Sequence, residues 1–222
     1  MEKKEQLIAN LKLFDSGISA SYLPDLPKAS VLIPLLVKNG EVCTLMTLRS
    51  LEMRTHAGDV CFPGGRRDPS DRDEVDTALR EAEEEIGLPP DGVQVVCKLL
   101  PIINKRGLLV TPVVGFIEES FCPRPNPAEV SAVFTVPLDF FTTKQDHSDV
   151  HTPLWPQSWF YSFNFADPAS GREYFIYGIT AVFAVMVACL GLRKNTEFAE
   201  GFDVEDLFSF FQCVLKRGIS KL

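Results

Sequence analysis

The chain has 222 residues, 45% of them hydrophobic, with a net charge of −8 and an isoelectric point near 5.0. That length and apolar content suit one sizeable core, and the acidic balance argues against a protein that tracks a nucleic-acid backbone. The six cysteines, Cys43, Cys61, Cys97, Cys122, Cys189 and Cys213, form no C-x-x-C pair, so buried, reduced thiols inside a cell are expected, with neither a disulfide framework nor a zinc site.

MEKKEQLIANLKLF at the N-terminus reads as an amphipathic helix without the long apolar core of a signal peptide. Ser30 to Val37 and Glu41 to Leu48 flank Lys38-Asn39-Gly40, a hairpin signal in which Asn-Gly supplies the positive-φ turn residues. DVCFPGG then closes a short strand into a glycine turn. The next helix is predicted to start at Ser70 and Asp73, in S-x-x-D capping spacing, and to end at Gly87 before Pro89-Pro90. Strands are predicted at Val93 to Ile103, Leu108 to Ile117, Val130 to Val136, Trp159 to Phe165 and Glu173 to Ile179, followed by helices at Thr180 to Leu192 and Val204 to Lys216. The apolar run from Ile179 to Leu192 falls short of the roughly 20 residues that span a bilayer, so it reads as a buried core helix and no membrane span is expected. Mixed strands interleaved with helices predict an α/β class fold, an α/β/α sandwich on a mixed central sheet.

REAEEEIG, Arg80 to Gly87, places Glu81, Glu83, Glu84 and Glu85 at the end of a predicted helix. Carboxylates there oppose the negative end of the helix dipole, and Glu81 and Glu85 add a like-charge i,i+4 contact. The apolar positions Val75, Ala78, Leu79, Ala82 and Ile86 form one stripe that should pack on the sheet. Beside it, Glu81 and Glu85 lie about 40° apart, Glu84 about 60° further round, and Glu83 on the other flank. A solvated acidic surface is the bland alternative. A bound divalent cation would turn the clustering from a cost into a gain, because Mg²⁺ takes hard oxygen ligands from carboxylates and substrate phosphates.

The segment from Gly65 to Leu88 resembles the Nudix box, G-x5-E-x7-R-E-U-x-E-E-x-G-U with U aliphatic. Arg80, Glu81, Glu84, Glu85, Gly87 and Leu88 match its second half, with Ala82 at an aliphatic position. Asp71 stands where the family has Glu, and the spacer before Arg80 is one residue longer. The resemblance implies hydrolysis of a nucleoside diphosphate derivative with Mg²⁺ or Mn²⁺, with Glu81, Glu84 and Glu85 as metal ligands. Glu84, Arg80 and Glu129 then fall in the catalytic set, Arg80 orienting the glutamates and Glu129 standing as a candidate general base or added ligand, with a plain exposed loop residue as its equal alternative.

Upstream, Leu45 to Gly65 resembles the signature of the coenzyme A diphosphatase branch, L-L-T-x-R-S-x3-R-x3-G-x3-F-P-G-G. Thr47, Arg49, Ser50, Arg54, Gly58, Phe62, Pro63, Gly64 and Gly65 match, and Met46 replaces a leucine. The implied substrates are coenzyme A and its acyl esters. Arg49, Arg54 and Arg66 can make forked, charge-assisted contacts to phosphate, and Gly64 and Gly65 let a backbone approach one closely. Arg67, Lys105 and Arg106 are further candidates, for the 3′-phosphate of coenzyme A; for Arg72 and Arg106 a solubilising surface role is an equal alternative, and the aromatics of WFYSFNF could line a groove for the acyl arm or, more commonly for alternating aromatics in a strand, pack the core or sheet. His147 and His151 read as loop residues. Rival readings are a Nudix enzyme acting on NADH or ADP-ribose, and a catalytically inactive Nudix binding module.

The expected organisation is an N-terminal helix and lead-in over residues 1–28, a Nudix hydrolase domain over 29–219, and a tripeptide at 220–222. That tripeptide, Ser220-Lys221-Leu222, matches an address read by the peroxisomal import receptor. It predicts a peroxisomal location.

Overall fold

A turn of two residues starts the sheet. Asn39 and Gly40, at φ 52° and 81°, connect β1 (Lys28–Lys38) to β2 (Glu41–Arg49), with Lys38 facing Glu41 across the antiparallel pair. The computed structural model describes residues 2–17, 25–104, 106–144 and 162–198. The predicted helix at Val204 to Lys216, both loop histidines, Lys105, Cys213 and the terminal tripeptide lie outside them.

Around this hairpin the chain adds β3 (Val60–Cys61), β4 (Gly64–Arg66), β5 (Val93–Lys98), β6 (Ile102–Ile103), β7 (Leu109–Ile117) and β8 (Val130–Pro137). The central order is β3-β2-β1-β7-β5, with β4 also paired to β1, β6 to β7 and β8 to β2. The β1–β7 pair is parallel and the other pairs of this sheet are antiparallel, so the sheet is mixed. The strand predicted from Val93 to Ile103 is divided in two, because Leu99 to Pro101 leave the ladder. A separate hairpin joins β9 (Ser162–Ala166) to β10 (Glu173–Tyr177).

Strand alternation sorts the core into two layers. Leu32, Leu36, Cys43, Leu45, Val113 and Ile117 face α2 (Glu74–Ile86), which contributes Ala78, Ala82 and Ile86 with Val75 and Leu79 at the margin. This is the stripe expected from the sequence. Ile33, Leu35, Met46, Val114 and Phe116 face the other way, toward α1 (Glu2–Lys12) and α3 (Gly178–Leu192). Leu7 and Leu11 put α1 into this same core, and a Cβ at Gly191 of α3 would come within 3.0 Å of the Leu7 side chain. The fold is the expected α/β/α sandwich.

The apolar run of α3 is buried along nearly its whole length, and no helix among the described residues is long and apolar enough to cross a membrane. Cys43, Cys97 and Cys189 are buried free thiols, while Cys122 is exposed, contrary to expectation. Burial pushes the thiols of Cys97 and Cys189 up to about 12, which leaves them poor nucleophiles.

Candidate active site

The carboxylate helix begins one step later than its sequence suggests. Asp73 is the N-cap, accepting from the backbone N–H groups of Val75 and Asp76, whereas Ser70 donates its N–H and hydroxyl to Asp68 Oδ1 in the preceding turn. At the other end Gly87 takes the left-handed conformation, φ 68°. Its N–H donates to the Glu83 carbonyl at 2.9 Å. The next carbonyls are met from outside: Arg124 N–H donates to Ile86 O and Asn126 N–H to Glu85 O, both at 2.8 Å. These bonds satisfy groups that a helix end leaves open, and they fasten the 124–126 loop to α2. Glu129 follows at once, its carbonyl accepting from Ser50 N–H at 2.8 Å and its carboxylate from the Asn126 amide at 3.4 Å.

Glu85 is the most enclosed carboxylate of the row, with 2% of its surface exposed. Gly64 N–H donates to its Oε2 at 3.2 Å, and Arg49 Nη1 lies 3.8 Å from its Oε1. Burial raises its pKa to about 8, with Glu81 and Glu129 adding to the rise and Gly64 and Arg49 opposing it. Glu81 is also shifted upward, chiefly by burial, against the pull of Arg80. Glu84 lies on the exposed side of the helix, and Glu83 points to solvent away from the group.

Arg80 ties the row together, and all five of its N–H donors are used. Nε and Nη2 grip Asp71 at 2.9 and 3.1 Å, Nη1 donates to Glu81 and Glu84 at 3.0 and 3.2 Å, and Nη2 also reaches the Arg66 carbonyl at 3.0 Å. Sequence reasoning alone assigns Asp71 no task. Its buried carboxylate also accepts from Asp68 N–H at 2.8 Å and from the Thr77 hydroxyl at 2.9 Å. The Arg80 guanidinium first, then these donors, hold it well below the usual carboxylate range. The available signal is its place in the motif; the substitution of Asp for Glu and the longer spacer conceal it.

The two glycines have contacts of their own. A Cβ at Gly64 would strike the backbone of Ser30 and Val31, and one at Gly65 would strike the Glu81 carboxylate. Both positions therefore need glycine to seat β4 against β1 and α2. Arg49 is held at the end of β2, where the pairing with β8 bulges between Leu48 and Arg49, and its Nε is buried with no hydrogen-bond partner among the described residues. A buried donor left open is costly unless something comes to meet it.

Arg54 and Arg66 are exposed side chains on the β2–β3 loop and on β4. Arg67 is committed elsewhere, donating to the carbonyls of Asp71 and Arg72 at 3.1 and 2.9 Å. Arg72 pairs with Asp76 on the helix surface, and Arg106 is exposed in the turn after Asn104. Of the aromatics in WFYSFNF, Phe163 and Phe165 are buried in the core, so they line no open groove.

The donor set fits a divalent cation. Glu81 and Glu129 raise the cost of ionising Glu85, and Glu84 and Glu129 that of Glu81, and a nearby dication reverses that sign. Among the described residues no three acidic, histidine or cysteine side chains close on one point. Mg²⁺ takes one or two carboxylates and completes its shell with water and phosphate.

A mixed-sheet sandwich here sets a row of glutamates on α2 beside Arg49 of β2. The family model described as the NUDIX domain matches residues 26–152, and the chain belongs to the Nudix family. It is 42% identical over 200 residues, 90% of this chain and 84% of the relative, to the peroxisomal coenzyme A diphosphatase NUDT7 of Mus musculus. It is 37% identical to the mitochondrial Nudix hydrolase 15 of Arabidopsis thaliana, over 78% of this chain and 61% of that one. The uncharacterized Nudix hydrolase NudL of Escherichia coli is also 37% identical, over 69% of this chain and 77% of its own.

Proposed function

We propose that this chain hydrolyses the diphosphate bond of coenzyme A and its acyl esters, giving 4′-phosphopantetheine (acylated or free) and adenosine 3′,5′-bisphosphate. The observation that carries this reading is where the Leu45 to Gly65 signature lies in the fold. It brings Arg49, with its open buried Nε, and Gly64 N–H onto Glu85. The 42% identity to a coenzyme A diphosphatase over most of both chains supports it.

Mg²⁺ or Mn²⁺ would take one or two ligands at a time from the row Glu81, Glu84 and Glu85. A cation there polarises the phosphoryl oxygens and makes its bound water more acidic. The protein's own part is to position and to move a proton. Arg80, fixed by Asp71, keeps Glu81 and Glu84 in register along the helix. Arg49, its side chain 17% exposed, would meet the diphosphate with its guanidinium, with Arg54 and Arg66 as exposed charges for the remaining phosphates and the Gly64-Gly65 backbone alongside. Glu129, held by the loop that caps α2, is the candidate to accept the proton of the attacking water.

Turnover of coenzyme A, several acyl esters, NADH and ADP-ribose, measured in parallel with Mg²⁺, tests the assignment. Comparable or faster cleavage of ADP-ribose would sink it while sparing the family. Truncating Arg49 to Ala removes a charge-assisted contact worth about 1.5–3 kcal/mol, so kcat/KM for coenzyme A should fall roughly 10- to 100-fold.

The proposed location is the peroxisome. The mouse relative is named as peroxisomal, although the Arabidopsis relatives are mitochondrial and chloroplastic. The proposed address is Ser220-Lys221-Leu222, read by the import receptor. A fluorescent fusion at the N-terminus should enter peroxisomes, and removal of the three residues should leave it in the cytosol with activity intact. Import of the shortened chain would refute the address.

A further inference from the structure

The loop before β8 is built around one residue, Asn126. Pro127 disfavours helical backbone at Asn126, and the Asn126 side chain closes a short turn, its Oδ1 accepting from Ala128 N–H at 3.2 Å. Its carbonyl accepts from the N–H groups of Glu129 and Val130 at 3.0 and 2.8 Å, and its own N–H donates to Glu85 O at the end of α2 at 2.8 Å. Val130 then enters β8 opposite Arg49. Asn126 therefore stands where the carboxylate helix, the Glu129 loop and the β2–β8 ladder meet.

One group of Asn126 is turned to the site. Its Nδ2 donates to Glu129 Oε1 at 3.4 Å, which holds one oxygen of that carboxylate and leaves Oε2 for another partner. The Glu129 carboxylate lies toward the row on α2, because it makes both Glu81 and Glu85 harder to ionise, an effect that falls off with distance. The tether is also neutral. A lysine or arginine in its place would hold Glu129 as firmly but would weaken it as a base, since a nearby positive charge favours the ionised form. An amide fixes the geometry at a smaller cost in basicity.

The backbone bonds of Asn126 could be made by any residue except proline. Only the side-chain amide is particular to asparagine, and its two ends have separate tasks: Oδ1 serves the turn and Nδ2 serves Glu129. We propose that Asn126 is a positioning residue for the hydrolysis, its amide N–H holding Glu129 beside the Glu81–Glu85 row so that the open carboxylate oxygen meets the attacking water. This rests on the reading of Glu129 as general base given above.

The test is steady-state kinetics with coenzyme A and Mg²⁺ on native protein, Asn126→Asp, Asn126→Ala and Glu129→Gln, with Asn126→Asp also made in the Glu129→Gln chain. Asn126→Asp keeps the Oδ1 acceptor and the backbone bonds but has no N–H to give, whereas Asn126→Ala lacks both ends of the amide. Each should lower kcat roughly 10- to 100-fold with KM little changed, and Asn126→Asp should melt close to the native temperature. Glu129→Gln should itself lose about a hundredfold or more, and in that chain Asn126→Asp should cost no more than about twofold further. A fully active Asn126→Asp would reduce Asn126 to a turn residue, and a loss confined to Asn126→Asp would trace to its added charge. Equal losses in the native and Glu129→Gln chains would mean that it acts through something other than Glu129. Any of these three overturns the inference. A fully active Glu129→Gln would remove the reading of the base and this inference with it. If coenzyme A is not cleaved and ADP-ribose is, the coenzyme A reading falls, and the same proteins measured on ADP-ribose decide the role of Asn126 in the same way.

Discussion

Glu85→Gln should reduce kcat on the order of a thousandfold, the loss of about 4 kcal/mol expected when a carboxylate that holds the metal becomes a neutral amide. The same change should raise the melting temperature of metal-free protein, and the rise should depend on pH. In the fold the Glu85 carboxyl titrates near 8, against 4.5 for an unperturbed glutamate. Between those values the folded chain keeps a proton that the unfolded chain has released. Stability of the metal-free native protein therefore falls as pH rises through that window. Glutamine does not titrate, so its advantage should be near zero at about pH 4.5 and largest at about pH 8 and above. Glu83→Gln, on the solvent side of the same turn, is the comparison and should leave both activity and melting nearly unchanged. Equal damage from the two substitutions would contradict the placement of the row.

Asp71→Asn should cost on the order of 3 kcal/mol of stability, because it leaves the Arg80 guanidinium facing an amide in a buried site. An amide cannot replace the carboxylate here. Its two oxygens accept from Arg80 twice, from Asp68 N–H and from the Thr77 hydroxyl, and an NH₂ group would oppose one of those donors. With Arg80 released, Glu81 and Glu84 lose their common partner, so kcat should drop more than KM rises. The sign with pH is opposite to that of Glu85. The native Asp71 pKa is held far below its ordinary value of 3.8, so its contribution is complete above that value and is lost as pH falls toward the folded pKa. Denaturation curves of the native chain and the Asp71→Asn variant should therefore converge in strong acid. A pH-independent gap would mean that packing, not the ion pair, accounts for the loss.

Elements governed by local rules were legible in the sequence. Asn39-Gly40 dictates its turn, the spacing of Ala78, Ala82 and Ile86 dictates the buried face of α2, and Gly87 dictates its end, because each depends on backbone preference or periodicity within a few residues. The convergence of Glu81 and Glu85 followed from the same helical arithmetic. The local rule misled at Ser70, where Asp68 competes for the hydroxyl and Asp73 caps alone. At Phe163 and Phe165 alternation told which residues share a face, and the structure shows that this face is covered.

What the chain alone determined is thus most of the elements among the described residues, the helix that carries the carboxylates and the kinship of its motifs. Only the tertiary structure decided which carboxylate is buried, that Asp71 fixes Arg80, that Gly65 makes room for Glu81, and that Asn126 joins Glu129 to the end of α2. Each of these joins residues from different elements. Burial, ion pairing and pKa depend on distances through space, and those exist only once β1, β4, α2 and the 124–129 loop have closed around the same few ångströms.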